Sequence, residues 1–325
     1  MSAAEAKASP SVSVVVPTYN RAGALRRVLE PILADPAAGE VIVVIDGARD
    51  GSLELLREMA GREPRLRPLF IENSGEMAAR AAGAEAARSE VVLFLDDDVL
   101  AEPGLAAGHG AAHAARERTV VVGYMPVSLP ERRSPADFAT RIYAREYEGR
   151  CAIWEQDPRS VLRTLWAGNF SMRRSDCLAV GLPNPRYTER YHPDRDFGLR
   201  CLQYGLDGVF DRSLRAVHLH ERGLAAFARD AQSQGASRIL MPALHPGTVP
   251  SPRAEEFERD LPWPLRRVVA LARRPRAYSA LSSTLSVLVA GAGRARVWPA
   301  QDRAGRLLRR IEQQHGAIEQ ANRRR

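Results

Sequence analysis

The chain of 325 residues is long enough for one large domain or for a domain with an extension. Its composition, 45% hydrophobic and 26% charged, is typical of an ordinary globular protein. Three cysteines without a CxxC pair argue against a disulfide framework and against structural zinc. The N-terminal residues lack the apolar core of a signal peptide, so we expect a cytoplasmic protein.

The net charge of +8 is unevenly distributed along the chain. Residues 251–325 contain 16 arginines and 7 acidic residues, a net charge of +9, which leaves −1 for residues 1–250. No zinc-finger, RNA-recognition or helix-turn-helix signature accompanies the basic tail, and we expect no nucleic acid partner. Two interpretations remain open: contact with an acidic membrane surface or a lipid phosphate, and arginine-rich solvated helix faces.

The first 125 residues alternate between strand-like and helix-like segments. Strands are predicted at Val12–Val16, Glu40–Ile45, Leu66–Ile71, Val91–Leu95 and Thr119–Tyr124. Helices are predicted between them, at Ala22–Ala34, Ser52–Gly61, Glu76–Arg88 and Leu105–Arg116. Such alternation predicts right-handed βαβ units and a mostly parallel sheet that is covered by helices.

From Pro126 to Leu165 the pattern is irregular and more polar, as expected of a region inserted above a sheet. The elements predicted after it are an apolar segment (Leu165–Met172), a short helix (Ser175–Val180), a helix from Asp194 to Gly205, a strand (Val209–Leu219) and a helix (Leu224–Leu240). Prolines at 242, 246, 250 and 252 then indicate a boundary. The helices predicted beyond it are Pro262–Arg274, Ala277–Gly293 and Ala300–Asn322.

The segment Ala277–Gly293 carries no charge over 17 residues, which raises the question of a membrane span. It is shorter than the roughly 20 strongly apolar residues that a span needs, and it contains several hydroxyl residues and two glycines. Arginines flank it closely on both sides. We expect a helix that lies on the catalytic domain or on a membrane surface.

Three consecutive aspartates, Asp96, Asp97 and Asp98, follow the apolar run Val91–Leu95. Five apolar residues in a row are typical of a strand buried on both faces. Carboxylates at the carboxyl end of such a strand lie where open α/β sheets bind ligands. Three adjacent anions cost repulsion and desolvation unless a cation or donor groups offset them. Taken alone, the triplet could also be a solvated acidic turn.

Three other features are predicted at the same edge of the sheet. The turn Pro17-Thr18-Tyr19-Asn20-Arg21 follows the first strand, and its amides suit a phosphate while its tyrosine offers a face to a base. Asp46 follows the second strand, where a carboxylate could accept hydrogen bonds from a nucleobase or ribose or could serve as a helix N-cap. Arg80 has small neighbours and could point at the acidic strand end or at a pyrophosphate.

These motifs resemble, in order, those of the inverting glycosyltransferases of family 2, which have the GT-A fold. Val14–Arg21 is similar to that family's opening strand and turn, and Asp46 falls at its base-recognising aspartate. Ala79–Gly83 resembles its Ala-Arg-Asn-x-Gly helix, with Ala81 in place of the usual Asn. Leu95–Asp98 looks like its Asp-x-Asp motif for the metal and the nucleotide sugar. The resemblance covers about residues 11–240.

The resemblance implies a role for each matching residue. The implied donor-binding residues are Pro17, Thr18, Tyr19, Arg21, Asp46, Arg80, Asp96 and Asp97. Asp96 would contact the ribose or the sugar, and Asp98 would bind Mn²⁺ or Mg²⁺, hard cations that prefer oxygen ligands. Family members often carry a metal-binding histidine near His218, with His220 as the fallback; two residues apart on a predicted strand, both share a face.

Two further segments match the acceptor half of the family. Asp194-Arg195-Asp196-Phe197-Gly198-Leu199-Arg200 resembles the Glu-Asp-x-Asp/Glu-Leu-x-x-Arg signature, with Pro193 in place of the leading Glu. The match puts the catalytic base on Asp194, although a carboxylate there is also a plain N-cap. The segment 166–174 resembles the strand and helix that face the acceptor. It implies acceptor binding by Trp166, Gly168 and Asn169, and a buried strand with an aromatic plug is the alternative.

We therefore predict a disordered N-terminus at 1–10, a GT-A catalytic domain at 11–241 and a basic helical extension at 242–325. Residues 11–125 would bind the nucleotide sugar and residues 126–241 the acceptor. The expected enzyme takes a UDP-, dTDP- or GDP-linked sugar and a glycan, lipid-linked or small-molecule acceptor, with peripheral membrane association through the tail. A degenerate GT-A binding protein and a sugar nucleotidyltransferase are the alternatives, although the latter needs a glycine-rich phosphate loop that 17–21 lacks.

Overall fold

The computed structural model describes residues 10–252 and 256–324; apart from Pro10, the predicted disordered N-terminus lies outside the described residues. The chain divides into two compact units. We call residues 10–128, Tyr147–Asn184 and Phe197–Leu219 the sheet unit. Leu129–Glu146, Pro185–Asp196 and the described residues from His220 onward form the helical unit. The predicted division into domains at 241/242 stays a prediction.

One mixed sheet of eight strands runs through the sheet unit. The strands are β1 (Val12–Thr18), β2 (Ala38–Asp46), β3 (Leu66–Ile71), β4 (Val91–Leu95), β5 (Val99–Ala101), β6 (Thr119–Tyr124), β7 (Asn169–Arg173) and β8 (Asp207–His218). Their spatial order is β3-β2-β1-β4-β7-β6-β8-β5. β1, β2, β3 and β4 pair in parallel, whereas β7 is antiparallel to both β4 and β6. The predicted α/β class with a mostly parallel first half is confirmed.

The central strands are apolar on both faces because helices cover both sides of the sheet. Every residue of β1 and of β4 is buried. The helices that lie wholly within this unit are α1 (Ala22–Leu33), α2 (Ser52–Ala60), α3 (Glu76–Ala86), α4 (Leu105–Ala114), α6 (Ser160–Arg163) and α7 (Arg174–Val180). On α1, Leu25, Val28, Leu29 and Ile32 are buried, which is the i, i+3, i+4, i+7 spacing of a helix with one apolar face.

The prediction of an irregular region from 126 to 165 is wrong for most of its length. It contains the 19-residue helix α5 (Phe138–Gln156) as well as α6. The buried positions of α5 include Ile142, Tyr147, Cys151 and Trp154. The charged residues between them make the segment polar on average and hide its helical period. The short strand β5 was also not predicted.

The helical unit contains the first turn of α8 (Pro193–Gln203), the first part of α5, and four longer or later helices. These are α9 (Leu224–Leu244), α10 (Trp263–Leu271), α11 (Pro275–Arg294) and α12 (Trp298–Arg323). α9 and α12 cross on two glycines: a Cβ on Gly235 would overlap the carbonyl of Gln313, and a Cβ on Gly316 would overlap the carbonyl of Gln232. Glycine at both positions therefore allows the two backbones to touch.

A buried carboxylate joins three helices of this unit. Glu312 of α12 accepts hydrogen bonds from Gln232 Nε2 of α9 at 2.6 Å, and from Tyr278 OH at 2.8 Å and Ser282 Oγ at 2.5 Å, both of α11. These donors offset the cost of burying the charge. α11 coincides with the uncharged segment 277–293. Within residues 10–252 and 256–324, no helix is long and apolar enough to cross a membrane.

Candidate active site

The aspartate triplet lies where two neighbouring parallel strands end. β1 and β4 pair in register, Val15 beside Phe94, so Thr18 at the end of β1 comes next to the residues that follow Leu95. Thr18 Oγ1 donates a hydrogen bond to Asp97 Oδ2 at 2.8 Å. The sequence therefore places the turn after β1 and the triplet after β4 in one cluster, as predicted from the edge rule for parallel sheets.

Asp97 is the middle carboxylate of this cluster. Besides the Thr18 bond, the guanidinium of Arg21 lies 3.7 Å from Asp97 Oδ1. Burial raises the pKa of Asp97 to about 6, and the charges of Asp98 and Asp96 act in the same direction. The Thr18 hydrogen bond and Arg21 oppose that rise.

Asp98 faces both Arg21 and His218. Arg21 donates to Asp98 Oδ2 at 3.1 Å, and His218 Nε2 lies 3.2 Å from Asp98 Oδ1. The antiparallel pairing of β5 with β8 sets this contact, because Val99 is the register partner of His218. The fallback residue His220 belongs to the helical unit, where its ring stacks on Tyr143 with centroids 4.0 Å apart. His218, the preferred of the two candidate histidines, is therefore paired with an aspartate of the triplet.

Arg80 is a buried cation that pairs with Asp96. Only 1% of it is exposed, and its guanidinium donates to Asp96 Oδ1 at 2.5 Å and lies 2.6 Å from Glu76 Oε1. The small residues around it explain how it reaches this place: a Cβ on Gly83 would overlap Val15, so α3 packs directly on β1. Glu76, one helical turn before Arg80, is a member of the site that the sequence interpretation missed. Its i, i+4 spacing from Arg80 was the available signal.

Gly168 contacts the backbone of Asp96. Its carbonyl accepts a hydrogen bond from the Asp96 amide at 3.2 Å, and its φ is +124°. Trp166, close by in the chain, packs edge-on against Tyr147 with ring centroids 5.5 Å apart. Two of the three residues predicted to bind the acceptor thus lie in or near the loop that contacts Asp96.

Asn169, the third of these residues, is fully buried and bonded inside the protein. Its Nδ2 donates to the carbonyl of Leu214 at 3.0 Å, and its Oδ1 lies 3.0 Å from His109 Nε2. These bonds give Asn169 a part in positioning β7. Acceptor contact by its side chain stays a prediction.

A buried histidine pair lies behind Asn169 and was not predicted. His109 Nδ1 is 2.7 Å from Ser171 Oγ, and His113 Nε2 is 2.9 Å from the same oxygen. Burial is the main cause that lowers the pKa of each histidine to about 4. Both rings are therefore neutral at pH 7, and through Ser171 they connect α4 to β7. Their spacing of four residues on α4 was the only local signal.

Asp46 organises the loop that precedes α3. Its two carboxylate oxygens accept hydrogen bonds from the amides of Ser74 at 2.7 Å and Gly75 at 2.9 Å. Pro17 lies within β1 and is buried, whereas Tyr19 is 52% exposed in the turn that follows. Among the donor-binding candidates, Tyr19 thus presents an accessible ring.

Asp194 and its neighbours belong to the helical unit and start α8. Asp194 Oδ1 accepts a hydrogen bond from the Arg195 amide at 2.9 Å. Two residues on, Asp196 Oδ1 lies 2.8 Å from His245 Nε2, and both side chains are buried. Burial lowers the pKa of Arg195, and the charge of Asp194 opposes that shift. His245, at the end of α9, is a further residue that the sequence interpretation missed.

Two side chains of the sheet unit could bind a divalent cation together with the phosphates of a substrate. Asp98 offers a carboxylate and His218 an imidazole, side by side and nearly buried. No group of three or more His, Cys, Asp or Glu side chains in the described part of the chain is arranged to hold a metal by itself. Mg²⁺ and Mn²⁺ are commonly bound by one or two protein side chains together with substrate phosphates.

The family model of glycosyl transferase family 2 matches residues 13–177, slightly more than half of the chain. The chain belongs to glycosyl transferase family 2. The matched segment begins in β1 and ends in α7, so it includes the triplet, Arg80 and Gly168. The family that the motifs resembled is confirmed.

Curated relatives agree with this assignment. The chain is 30% identical over 246 residues to validoxylamine A glucosyltransferase of Streptomyces hygroscopicus subsp. jinggangensis, covering 66% of this chain and 56% of that protein. It is 36% identical over 96 residues to the putative glycosyltransferase EpsH of Bacillus subtilis, covering 29% of this chain and 28% of that protein. The chain spans about half the length of the first of these relatives.

Solved structures confirm the predicted GT-A fold. Mannosyltransferase PcManGT from Pyrobaculum calidifontis, in complex with GDP-Man and Mn²⁺, is similar with a TM-score of 0.62 at 20% identity, over 99% of this chain and 90% of that chain. S. aureus TarS 1-349 is similar with a TM-score of 0.52 at 14% identity, over 91% of this chain and 90% of that chain. At these identities the likeness concerns the fold alone.

Proposed function

We propose that the protein transfers a sugar from a nucleoside-diphosphate donor to an acceptor hydroxyl, with inversion at the anomeric carbon. The observation that carries this proposal is the cluster at the ends of β1 and β4, where Asp96 pairs with Arg80 and Asp98 pairs with His218. Membership of the family supports the reaction class.

The sheet unit would bind the donor. The exposed ring of Tyr19 offers a stacking face for a base, and the partly exposed guanidinium of Arg21 suits the diphosphate. Asp96, held in place by Arg80, would accept hydrogen bonds from sugar or ribose hydroxyls. Asp46 accepts hydrogen bonds from two backbone amides, and its carboxylate oxygens have further lone pairs that could accept a hydrogen bond from an N–H of the base.

Asp98 and His218 would hold a divalent cation, Mn²⁺ or Mg²⁺, together with donor phosphate oxygens. Such a cation, when bound, stabilises the charge of the departing nucleoside diphosphate as a Lewis acid. Asp194 would act as the general base. It would take the proton of the acceptor hydroxyl while that oxygen bonds to the anomeric carbon and the bond to the diphosphate breaks.

The test is release of the nucleoside diphosphate in the presence of Mn²⁺. The donor panel includes UDP-, dTDP- and GDP-linked sugars, and the acceptor panel includes validoxylamine A, glycans and lipid-linked acceptors. We expect Asp194→Asn to abolish turnover while donor binding persists. Asp207→Asn, at an exposed position at the start of β8, is the matched control and should keep full activity. Turnover of Asp194→Asn at the parent rate would refute the assignment of the base.

Two other functions make different predictions. A degenerate transferase that only binds would show cation-dependent UDP or GDP binding by calorimetry without turnover of any donor. A sugar nucleotidyltransferase would release pyrophosphate from a nucleoside triphosphate and a sugar 1-phosphate.

The anomeric configuration of the product, read by NMR, decides between inversion and retention. We place the enzyme in the cytoplasm, where nucleotide sugars are its expected donors.

A further inference from the structure

The outer face of α11 is unusual because it is exposed and uncharged. Seven exposed residues repeat along one side of the helix: Ser279, Ala280, Ser283, Thr284, Val287, Leu288 and Gly291. Val287 is 71% exposed, and no residue from 277 to 293 carries a charge. The solvent side of a helix normally carries charged and polar residues, so this face is expected to meet something other than water.

α10 also exposes large apolar side chains. Trp263 is 66% exposed, and Leu265 and Leu271 are exposed as well. α10 and α11 bury their opposite faces in one core, where Val269 and Leu285 pack with α12. Both helices therefore turn their exposed faces away from α12. We call these exposed residues of α10 and α11 the α10–α11 surface.

Arginines border this surface at both ends of α11. The exposed arginines are Arg266, Arg267, Arg273, Arg274 and Arg276 before or at its start, and Arg294 and Arg296 at its end. The guanidinium of Arg267 lies 4.7 Å from the ring centroid of Trp263 in the same helix. Tryptophan and arginine side chains both favour the boundary between the hydrocarbon and the headgroups of a lipid bilayer.

We propose that the α10–α11 surface docks on an anionic lipid bilayer, with α11 lying in the plane of the membrane. Valine, leucine and tryptophan would enter the headgroup boundary, and the arginines would contact lipid phosphates. A second copy of the chain is a poor occupant, because pairing through α11 in either direction brings arginine clusters together. A nucleic acid is also a poor occupant, because it favours basic residues along the whole contact and the middle of this face has none. The proposal goes beyond the proposed function and does not depend on it.

The test is flotation of the full-length protein with vesicles. The probes are vesicles of phosphatidylcholine alone and vesicles in which about one-third of the lipid is phosphatidylglycerol, a proportion at which surface charge attracts basic segments. We expect binding to the anionic vesicles only, and weaker binding as salt is raised. Equal binding to both kinds of vesicle, or none to either, would overturn the proposal.

Three variants locate the contact. Arg274→Gln with Arg276→Gln should lower the partition coefficient roughly 25-fold, since one surface arginine contributes about five-fold. Val287→Glu with Leu288→Glu should abolish binding, while Ile153→Glu with Leu178→Glu, two exposed aliphatic residues of the sheet unit, should leave it unchanged. Parent-like melting temperatures would establish that the variants fold. Loss of binding in the control pair, or a parent dimer that only Val287→Glu with Leu288→Glu converts to monomer, would contradict the bilayer as occupant.

Discussion

A Cβ atom on Gly168 would lie 2.7 Å from Asp96 Oδ2. Because φ of Gly168 is +124°, an alanine would in addition strain the backbone. We expect Gly168→Ala to displace the Asp96 carboxylate, to raise the KM for the donor at least ten-fold and to cost about 1–3 kcal/mol of stability. Donor titration and thermal melting measure the two effects.

Gly149→Ala is the matched control for that substitution. Gly149 lies inside α5, and a Cβ there would meet nothing within 4 Å. Alanine is expected to stabilise the helix by about 0.5–1 kcal/mol and to leave the donor KM unchanged. If both variants behaved alike, the contact with Asp96 would have no functional weight.

The contact between Asp98 and His218 leads to a prediction about cation affinity. Removing either partner, by Asp98→Asn or His218→Ala, should weaken Mn²⁺ binding in the presence of UDP at least ten-fold, because one of the two proposed protein ligands is lost. Binding of Mn²⁺ can be followed by electron paramagnetic resonance, independently of turnover. His220→Ala serves as the comparison, and an equal loss in that variant would refute the choice of His218.

Arg80 is expected to be intolerant of even a conservative change. Arg80→Lys keeps the charge but cannot contact Asp96 and Glu76 with one planar group. We therefore expect a higher donor KM and a free energy of unfolding that is lower by about 1 kcal/mol. Arg80→Met leaves Asp96 without its buried partner. Since the carboxylates of Asp96 and Glu76 are both partly exposed, we expect the free energy of unfolding to fall by about 2 kcal/mol, less than on breaking a fully buried ion pair. Urea unfolding of both variants, with Arg62→Met on an exposed site as control, measures these losses.

The buried pair His109 and His113 predicts an acid-sensitive fold. In the unfolded chain their pKa is near 6.5, and in the folded protein it is about 4. Between these values the unfolded state binds more protons, so the free energy of unfolding falls as pH falls, by about 1.4 kcal/mol per pH unit for each histidine. Urea unfolding between pH 6.5 and about 5 measures the slope, to which Asp97, with its raised pKa of about 6, contributes in the opposite direction.

The double variant His109→Gln and His113→Gln provides the comparison for the pH effect. It is expected to be less stable at pH 7, because Ser171 and Asn169 lose their hydrogen bonds to the histidine rings, yet its stability should change less with pH over the same range. A slope equal to that of the parent would mean that other groups cause the acid sensitivity.

The sequence predicted those parts of the site that depend on local pattern. Runs of buried residues located β1 and β4, and the rule for parallel strand ends then joined Thr18 to the triplet before any contact was known. The small residues around Arg80 indicated that its guanidinium could point at the acidic strand end, where it pairs with Asp96. Each of these inferences needs only the period of one element and the direction of its strand.

Contacts between elements far apart in the chain could not be predicted in this way. His109 and Ser171 are 62 residues apart, and no local signal relates them. The two-residue spacing of His218 and His220 predicted a shared face, but β8 ends at His218, so the alternation of a strand no longer applies to His220. In α5 the charges between buried positions lowered the average hydrophobicity and concealed the helix.

The interleaving of the two units has a consequence for synthesis of the protein on the ribosome. The sheet unit can close once Leu219 has emerged, but α9 still lacks its partner, because Gly316 of α12 is made 81 residues after Gly235 of α9. At roughly 5–20 residues per second that interval lasts from about 4 to 16 seconds. During it the face of α9 around Gly235, which packs on the backbone of α12 in the folded protein, is uncovered.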